Sequence, residues 1–193
     1  MKVGLYFGTF NPIHVGHVII ANHFAEYSDL DEVWMVITPQ NPHKQKRSLL
    51  ANHHRYQLVY LALENYTKIK PSNIEFHLPQ PNYTVKTLAY IAEKYPQHDF
   101  SLIMGEDNLK SFHKWKNYET ILENHDIYCY PRFSEGKIKT NFETHPKIHR
   151  VDAPKIEISS TNIRQGIKNQ KNVIPMLPKE VWEYIDEMNF YKK

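Results

Sequence analysis

Two histidines three residues apart, His14 and His17, stand near the N-terminus in the stretch GTFNPIHVGH, residues 8–17. At this spacing two side chains share one face of a helix. The first turn of a helix has unpaired backbone N–H groups and the positive end of the helix dipole, and both favour phosphate. Two imidazoles there can donate hydrogen bonds to phosphate oxygens, and a bound triphosphate favours their protonated forms. The pattern indicates a phosphate site, with two ordinary polar side chains or a metal-binding pair as alternatives.

The residues before this helix indicate how the histidines are presented. The apolar segment that ends at Gly8 is typical of a buried strand, and Asn11-Pro12 makes a turn that stops it. In a doubly wound sheet, ligands bind beyond the carboxyl ends of the strands. We expect Gly8 to allow a ligand close to the backbone, and Gly16 to keep the surface open between the histidines.

Short apolar segments that end at glycine or proline alternate with helical patterns along the chain. This alternation predicts βαβ units, and therefore an α/β fold with a doubly wound parallel sheet and a small C-terminal helical part. No linker or repeat interrupts the pattern, so we expect one domain over 1–193. The predicted strands are 2–8, 32–39, 72–78, 99–105, 126–132 and 149–154, and the predicted helices 14–27, 52–65, 84–95, 108–124, 160–169 and 178–190.

Composition excludes several classes of function. The net charge of the 193 residues is only +3 with neutral histidines, which is too mild to indicate a nucleic-acid partner. The single cysteine, Cys129, excludes an internal disulfide and a four-cysteine zinc site. No apolar run approaches the roughly 18 residues that span a bilayer, so we expect no membrane partner and a cytoplasmic location.

Five motifs, in order along the chain, resemble the nucleotidylyltransferase superfamily and, within it, the bacterial nicotinate-nucleotide adenylyltransferases. The first motif and the stretch ISSTNIR at 158–164 are similar to the superfamily signatures. The other three are similar to loops of the narrower family. They are NPHK at 41–44, PNYTVKTL at 81–88 and GEDNLKSFHKWKNY at 105–118.

The resemblance implies a Rossmann-like nucleotidylyltransferase fold and adenylyl transfer from ATP to nicotinate mononucleotide. The attacking phosphate is already ionised at neutral pH, so this reaction needs positioning and charge neutralisation rather than a base. Mg²⁺ is expected to arrive with ATP, held mainly by phosphates and water. The alternatives are nicotinamide mononucleotide or phosphopantetheine as acceptor, and a catalytically silent nucleotide-binding regulator. A homo-oligomer is possible on the sequence.

The same resemblance assigns the ATP half of the site. His14, His17, Lys44 and Arg164 would contact the phosphates and carry the catalysis, whereas no residue is expected to bind a metal directly. Ser-Ser-Thr at 159–161 is typical of a helix cap, which by itself is an ordinary structural feature. Asp107 would bind a ribose hydroxyl or cap the next helix. The expected ATP-binding residues are Gly8, Thr9, Phe10, His14, His17, Gly105, Asp107, Ser159, Ser160, Thr161 and Arg164.

For the mononucleotide, the resemblance implies contacts from Asn11, Lys44, Thr84 and Trp115. Trp115 would stack on the electron-poor pyridine ring, and Thr84 with its backbone would bind the ring carboxylate. Taken alone, Trp115 could equally be a half-buried helix residue, Thr84 a helix cap and Lys44 a solvated loop lysine.

Overall fold

The computed structural model describes residues 1–39, 49–132, 142 and 144–192. Six parallel strands form one sheet in the order β3-β2-β1-β4-β5-β6, which is the order of a doubly wound dinucleotide-binding sheet. The order reverses between β1 and β4, so a crevice opens at the carboxyl ends of these two strands. The strands are β1 Lys2–Gly8, β2 Glu32–Ile37, β3 Ile69–Ser72, β4 Asp99–Gly105, β5 Ile127–Tyr130 and β6 Ile148–Arg150.

Helices cover both faces of the sheet and bury an apolar cluster on each. Alternate residues of β1 serve the two clusters, because successive side chains of a strand point to opposite faces. Helices α1, α2, α6 and α7 contribute to one cluster, and α3, α4 and α5 to the other. The helices are α1 Val15–Tyr27, α2 Asn52–Leu63, α3 Thr84–Lys94, α4 Glu106–Ser111, α5 Tyr118–Asn124, α6 Ser160–Lys168 and α7 Lys179–Glu187.

The predicted fold class is confirmed, and three predicted elements differ most from the observed ones. The third strand is Ile69–Ser72, whereas most of the predicted 72–78 is a 3₁₀ turn over Ile74–His77. This turn follows the strand and buries both Ile74 and Glu75. The predicted helix 108–124 is broken into α4, a 3₁₀ turn over Phe112–Lys114, and α5. The last strand ends at Arg150, although 149–154 was predicted.

The break between α4 and α5 has a local backbone cause. Trp115 leaves the 3₁₀ turn with an extended backbone, and Asn117 is left-handed with φ 52°. Neither conformation continues a right-handed helix, and asparagine tolerates the second one better than most residues.

Among the described residues, no helix is long and apolar enough to cross a membrane.

Candidate active site

The loop after β1 is built around the ring of Phe10. Its backbone is left-handed, with φ 44°, and its side chain is only 2% exposed. A Cβ on Gly8 would lie 2.7 Å from this ring, so only glycine fits there. We expected Gly8 to make room for a ligand, but the observed close neighbour is the protein's own phenyl ring. The Gly8 carbonyl also accepts from Thr38 N at 2.9 Å, which ties the ends of β1 and β2 together.

His14 and His17 lie at the N-terminus of α1 as the spacing predicted. Their rings stack with centroids 3.7 Å apart and planes 21° from parallel. The backbone N–H of His14 donates to His17 Nδ1 at 3.3 Å, so the proton of a neutral His17 ring lies on Nε2. The edge of Phe10 packs against His17 at a centroid distance of 5.1 Å. These contacts fix the orientation of the His17 imidazole before any ligand binds.

His14 is the more deeply buried of the pair, with 4% of its surface exposed. Burial, aided by the nearby positive charge of Arg132, lowers the pKa of His14 to about 4. Its Nδ1 atom has no hydrogen-bond partner in the described part of the chain. His14 is therefore neutral at pH 7 in the free protein, and a bound polyphosphate would raise its pKa.

A second helix N-terminus faces the first loop from the far end of the chain. Ser159 caps α6 by accepting a hydrogen bond from Asn162 N at 3.1 Å, which confirms the predicted cap. Ser160 Oγ donates to the Pro12 carbonyl at 2.8 Å, and Arg164 Nη1 donates to the Asn11 carbonyl at 2.7 Å. These two bonds hold the start of α6 against the loop that carries the histidines.

Between these two helix ends lies a cavity of about 530 Å³. Two arginines, Arg132 and Arg164, and both histidines line it, so its walls are rich in groups that bind phosphate. Gly105 is absent from its lining, although β4 ends there. A Cβ on Gly105 would lie 2.6 Å from Asp107 Oδ1 and 3.1 Å from Arg132 Nε, so a larger residue there would displace these two side chains. The residues of the predicted ATP set that line the cavity are Gly8, Thr9, Phe10, His14, His17, Asp107, Ser159, Ser160, Thr161 and Arg164.

Arg132 belongs to this cavity but was missed in the sequence analysis. It follows β5, its guanidinium lies over the Tyr130 ring at 5.4 Å, and its Nε is 3.6 Å from Asp107 Oδ1. The available signal was its position, because the predicted strand 126–132 ends in an arginine at the carboxyl edge of the sheet. Asp107 therefore pairs with an arginine and lies in the first turn of α4 rather than capping it.

A smaller cavity of about 100 Å³ adjoins the large one and contains Thr84 and half-buried Trp115. Thr84 is the first residue of α3, and the cap position belongs to Tyr83. The two cavities share the lining residues Phe7, Gly8, Thr9 and Asn108. The structure thus brings Thr84 and Trp115 together next to the end of β1.

Of the two remaining residues predicted for the mononucleotide, only Asn11 is among the described residues. Asn11 lines the large cavity, and its Oδ1 accepts hydrogen bonds from Leu50 N at 3.2 Å and from the Tyr191 hydroxyl at 2.8 Å. Its side chain therefore has a structural use within the protein. Lys44 and the rest of the motif at 41–44 lie outside the described residues.

The smaller cavity also contains a carboxyl group that was missed. Glu75, in the 3₁₀ turn after β3, is 2% exposed, and its Oε1 accepts from Thr87 Oγ1 at 2.7 Å. Burial raises the pKa of Glu75, while the hydrogen bond from Thr87 and the nearby Thr38 hydroxyl oppose the shift. It was missed because the segment 72–78 was predicted as a buried strand from its apolar residues, and its glutamate was given no role.

Arg55 is a second missed residue, and it organises the backbone beneath both cavities. Its fully buried guanidinium donates to the carbonyls of Thr9 at 2.7 Å, Thr38 at 2.8 Å and Pro39 at 3.4 Å. Nε donates to the Leu50 carbonyl at 3.0 Å. Burial lowers the pKa of Arg55 to about 10, so it stays charged at neutral pH. One cation thus joins the ends of β1 and β2 to the start of α2.

Within the described ranges, no group of three or more histidine, cysteine, aspartate or glutamate side chains could hold a metal ion. Among the residues that the structure describes, the stacked histidines have no third ligand of this kind beside them. The arrangement is a cationic cavity beside a small aromatic one, and it suits a polyphosphate and a flat ring.

Comparisons with known proteins agree with this chemistry. Residues 5–166 match the model of the family described as cytidylyltransferase-like. The chain is 70% identical to a "Probable nicotinate-nucleotide adenylyltransferase" of Christiangramia forsetii, over 99% of this chain and 98% of the relative. It is 67% identical to a protein of the same name from Flavobacterium johnsoniae, over the full length of both.

Among solved structures, the chain is similar to a Plasmodium falciparum nicotinic acid mononucleotide adenylyltransferase complexed with NaAD. The TM-score is 0.82 at 22% identity, and the match covers 99% of this chain and 97% of that one. At this identity the match establishes the fold, and the sequence relatives confirm the resemblance that the five motifs indicated.

Proposed function

The chain belongs to the cytidylyltransferase-like family and, within it, to the nicotinate-nucleotide adenylyltransferases. From this premise we propose that it transfers the adenylyl group of ATP to nicotinate mononucleotide. The products are nicotinate adenine dinucleotide and pyrophosphate, in NAD biosynthesis. The two relatives at 70% and 67% identity are named probable nicotinate-nucleotide adenylyltransferases and match nearly the whole chain, and they support this reaction and this acceptor.

The observation that carries the proposal is the junction of the two cavities. The large cavity suits a triphosphate, the small one suits a planar ring, and Gly8 and Thr9 line both. Two substrates placed in them meet at the carboxyl end of β1. A single-substrate nucleotide-binding protein has no need of the second, aromatic cavity.

The chemistry is an in-line transfer at the α-phosphorus of ATP. A phosphate oxygen of the mononucleotide forms the new bond to this phosphorus, and the bond to the bridging oxygen of pyrophosphate breaks. The second pKa of a phosphate monoester lies near 6, so the nucleophile needs no base at neutral pH. The protein supplies alignment and donors to the charge that shifts toward pyrophosphate.

Each phosphate-facing group has a part in this transfer. His17, oriented by the His14 N–H and by Phe10, donates from Nε2 near the α-phosphate. His14 and the N-terminus of α1 lie beside it. Arg164 and the N-terminus of α6 face the β- and γ-phosphates from the opposite wall, and Arg132 adds a further cation. Lys44 remains a proposed phosphate ligand on sequence grounds alone.

The mononucleotide half uses the small cavity. The indole of Trp115 stacks on the pyridine ring, and the first backbone N–H groups of α3, at Thr84, bind its carboxylate. Mg²⁺ enters as the ATP complex and is held by phosphates and water. A cytoplasmic location and a homo-oligomer remain predictions from the sequence.

The reaction is tested by pyrophosphate release with ATP and Mg²⁺, with the three acceptors in separate wells. We expect strong preference for nicotinate mononucleotide over nicotinamide mononucleotide and phosphopantetheine. Preference for either of the other acceptors would preserve the phosphate site and reject the proposed acceptor. Binding of ATP without turnover in any well would favour the silent nucleotide-binding regulator.

A further inference from the structure

The small cavity has two buried oxygen atoms that lack partners. They are Oε2 of Glu75 and Oδ1 of Asn82, two lining residues of the cavity that are 2% and 6% exposed. Neither atom has a hydrogen-bond partner among the described residues. The Asn82 amide orientation follows from its Nδ2, which donates to the Glu75 carbonyl at 3.2 Å. An unpaired buried oxygen is costly, so a ligand group that pairs with it gains affinity.

The protonation state of Glu75 decides which ligand group that is. With Glu75 ionised, the wall offers two acceptor oxygens and a negative charge, which suits an amide N–H₂ and repels a carboxylate. With Glu75 neutral, Oε2–H becomes a donor that a carboxylate can accept. Oε1 is already occupied by Thr87 Oγ1, so the proton belongs on the unpaired oxygen.

No second carboxylate shares this wall in the described residues. The titratable groups that line the cavity besides Glu75 are Tyr83 and Lys116, and the Lys116 ammonium lies over the Tyr83 ring at 4.7 Å. Thr38, Thr84, Thr87 and Asn82 are neutral at every pH of interest. Desolvation therefore dominates the Glu75 pKa and raises it, which favours the neutral donor.

We propose that Glu75 is a specificity-determining residue, whose neutral carboxyl group donates a hydrogen bond to the ring carboxylate of the mononucleotide and whose ionised form favours a ring carboxamide instead. This inference rests on the proposed function, because it concerns the acceptor of that reaction. A bound nicotinate carboxylate further stabilises the proton on Glu75 through like-charge repulsion. Binding to protein with ionised Glu75 therefore takes up one proton from solvent.

The first test is the pH dependence of acceptor preference. The ratio of kcat/KM for nicotinate mononucleotide to that for nicotinamide mononucleotide is measured from pH 6 to pH 9. Both acceptors carry the same 5′-phosphate, so its titration cancels in the ratio. We expect the wild-type ratio to fall at least about tenfold as Glu75 ionises. In Glu75→Gln, which keeps a neutral donor at all pH values, the ratio should stay flat.

Lys116 and Tyr83 are common to both proteins, so a pH dependence that they cause would persist in Glu75→Gln. Equal slopes in the wild type and in the variant would overturn the inference. Absence of turnover with either acceptor would instead reject the proposed function, so the two failures are distinguishable.

The second test uses the wild type alone, in case Glu75→Gln does not fold. Calorimetric titration with each mononucleotide, in two buffers of different ionisation enthalpy, gives the number of protons taken up on binding. At pH values at which Glu75 is ionised in the free protein, we expect greater proton uptake for nicotinate than for nicotinamide mononucleotide. Equal uptake for both ligands throughout pH 6–9 would contradict the role of Glu75.

Discussion

The hydroxyl of Tyr191, two residues from the C-terminus, donates a hydrogen bond of 2.8 Å to Oδ1 of Asn11 in the first loop. The backbone carbonyl of the same asparagine accepts from Arg164 Nη1 at 2.7 Å. The end of the chain therefore supports the loop that carries the histidines and the position of a phosphate-facing arginine. Burial also raises the pKa of Tyr191, so its hydroxyl remains a donor at neutral pH.

Tyr191→Phe should affect catalysis through this contact. We expect a loss of about 1 kcal/mol in the free energy of unfolding, as for one hydrogen bond, and a several-fold fall in kcat/KM for ATP. The matched control is Tyr184→Phe, since the Tyr184 hydroxyl bonds to His54 Nδ1 at 2.9 Å and touches neither cavity. The control should lose similar stability and keep its kcat/KM. Equal activity in the two variants would show that Tyr191 only anchors the C-terminus.

Arg55→Lys should be strongly destabilising. An ammonium group cannot reproduce the planar set of donors that reaches the carbonyls of Thr9, Thr38 and Leu50. We expect the free energy of unfolding, from urea titration, to fall by about 3 kcal/mol because buried acceptors are left unpaired. Arg150→Lys is the control, since Arg150 makes an exposed ion pair of 2.8 Å with Glu106 and should cost less than about 1 kcal/mol. Similar losses of unfolding free energy in both variants would contradict the role of the Arg55 guanidinium in holding these carbonyls.

His14 should make the protein less stable in mild acid. Its pKa is about 4 in the folded state, below the ordinary value of 6.5, so only the unfolded chain takes up this proton between those values. The stability contribution is complete above pH 6.5 and is lost as the pH falls toward 4. Asparagine, a good helix cap, cannot titrate, so His14→Asn should remove this dependence.

The measurement is the difference in unfolding free energy between the wild type and His14→Asn. Between pH 7.5 and pH 5 this difference should shift by about 2 kcal/mol against the wild type. Between pH 7.5 and pH 8.5 it should not change, because His14 is neutral in both states there. A constant difference down to pH 5 would mean that His14 takes up its proton in the folded protein.

Local signals made much of the fold and site predictable. The loop after β1 and the cap of α6 are formed by residues that are neighbours in the sequence. The local sequence pattern is therefore sufficient to predict both. The third strand was misplaced because the apolar and aromatic residues of the segment 72–78 are typical of a buried strand. Tertiary burial of Glu75 favours the 3₁₀ turn instead, and nothing local in the sequence indicates that burial.

Arg55, Arg132 and Tyr191 were not predicted for a related reason. Each has a key partner far away in the sequence: 46 positions separate Arg55 from Thr9, 25 separate Arg132 from Asp107, and 180 separate Tyr191 from Asn11. Their contacts arise only when the sheet order brings the strand ends together. Hydrophobic periodicity along the sequence indicates which face of a helix or strand is buried. It does not indicate which distant carbonyl or hydroxyl group a buried polar side chain will hydrogen-bond to.

His17→Ala should lower kcat more than it weakens ATP binding. The imidazole is oriented by the His14 N–H and by Phe10, and its donor acts on charge that increases during the transfer. Loss of one such donor lowers kcat by about a hundredfold or more, whereas the dissociation constant of ATP should change only a few-fold. Single-turnover rates and equilibrium binding of ATP separate the two effects. His23→Ala, on the same helix but outside both cavities, is the control and should retain both values. If His17→Ala weakened ATP binding as much as it slowed turnover, His17 would be a ground-state ligand, and the transition-state donor would have to lie on another residue of the large cavity.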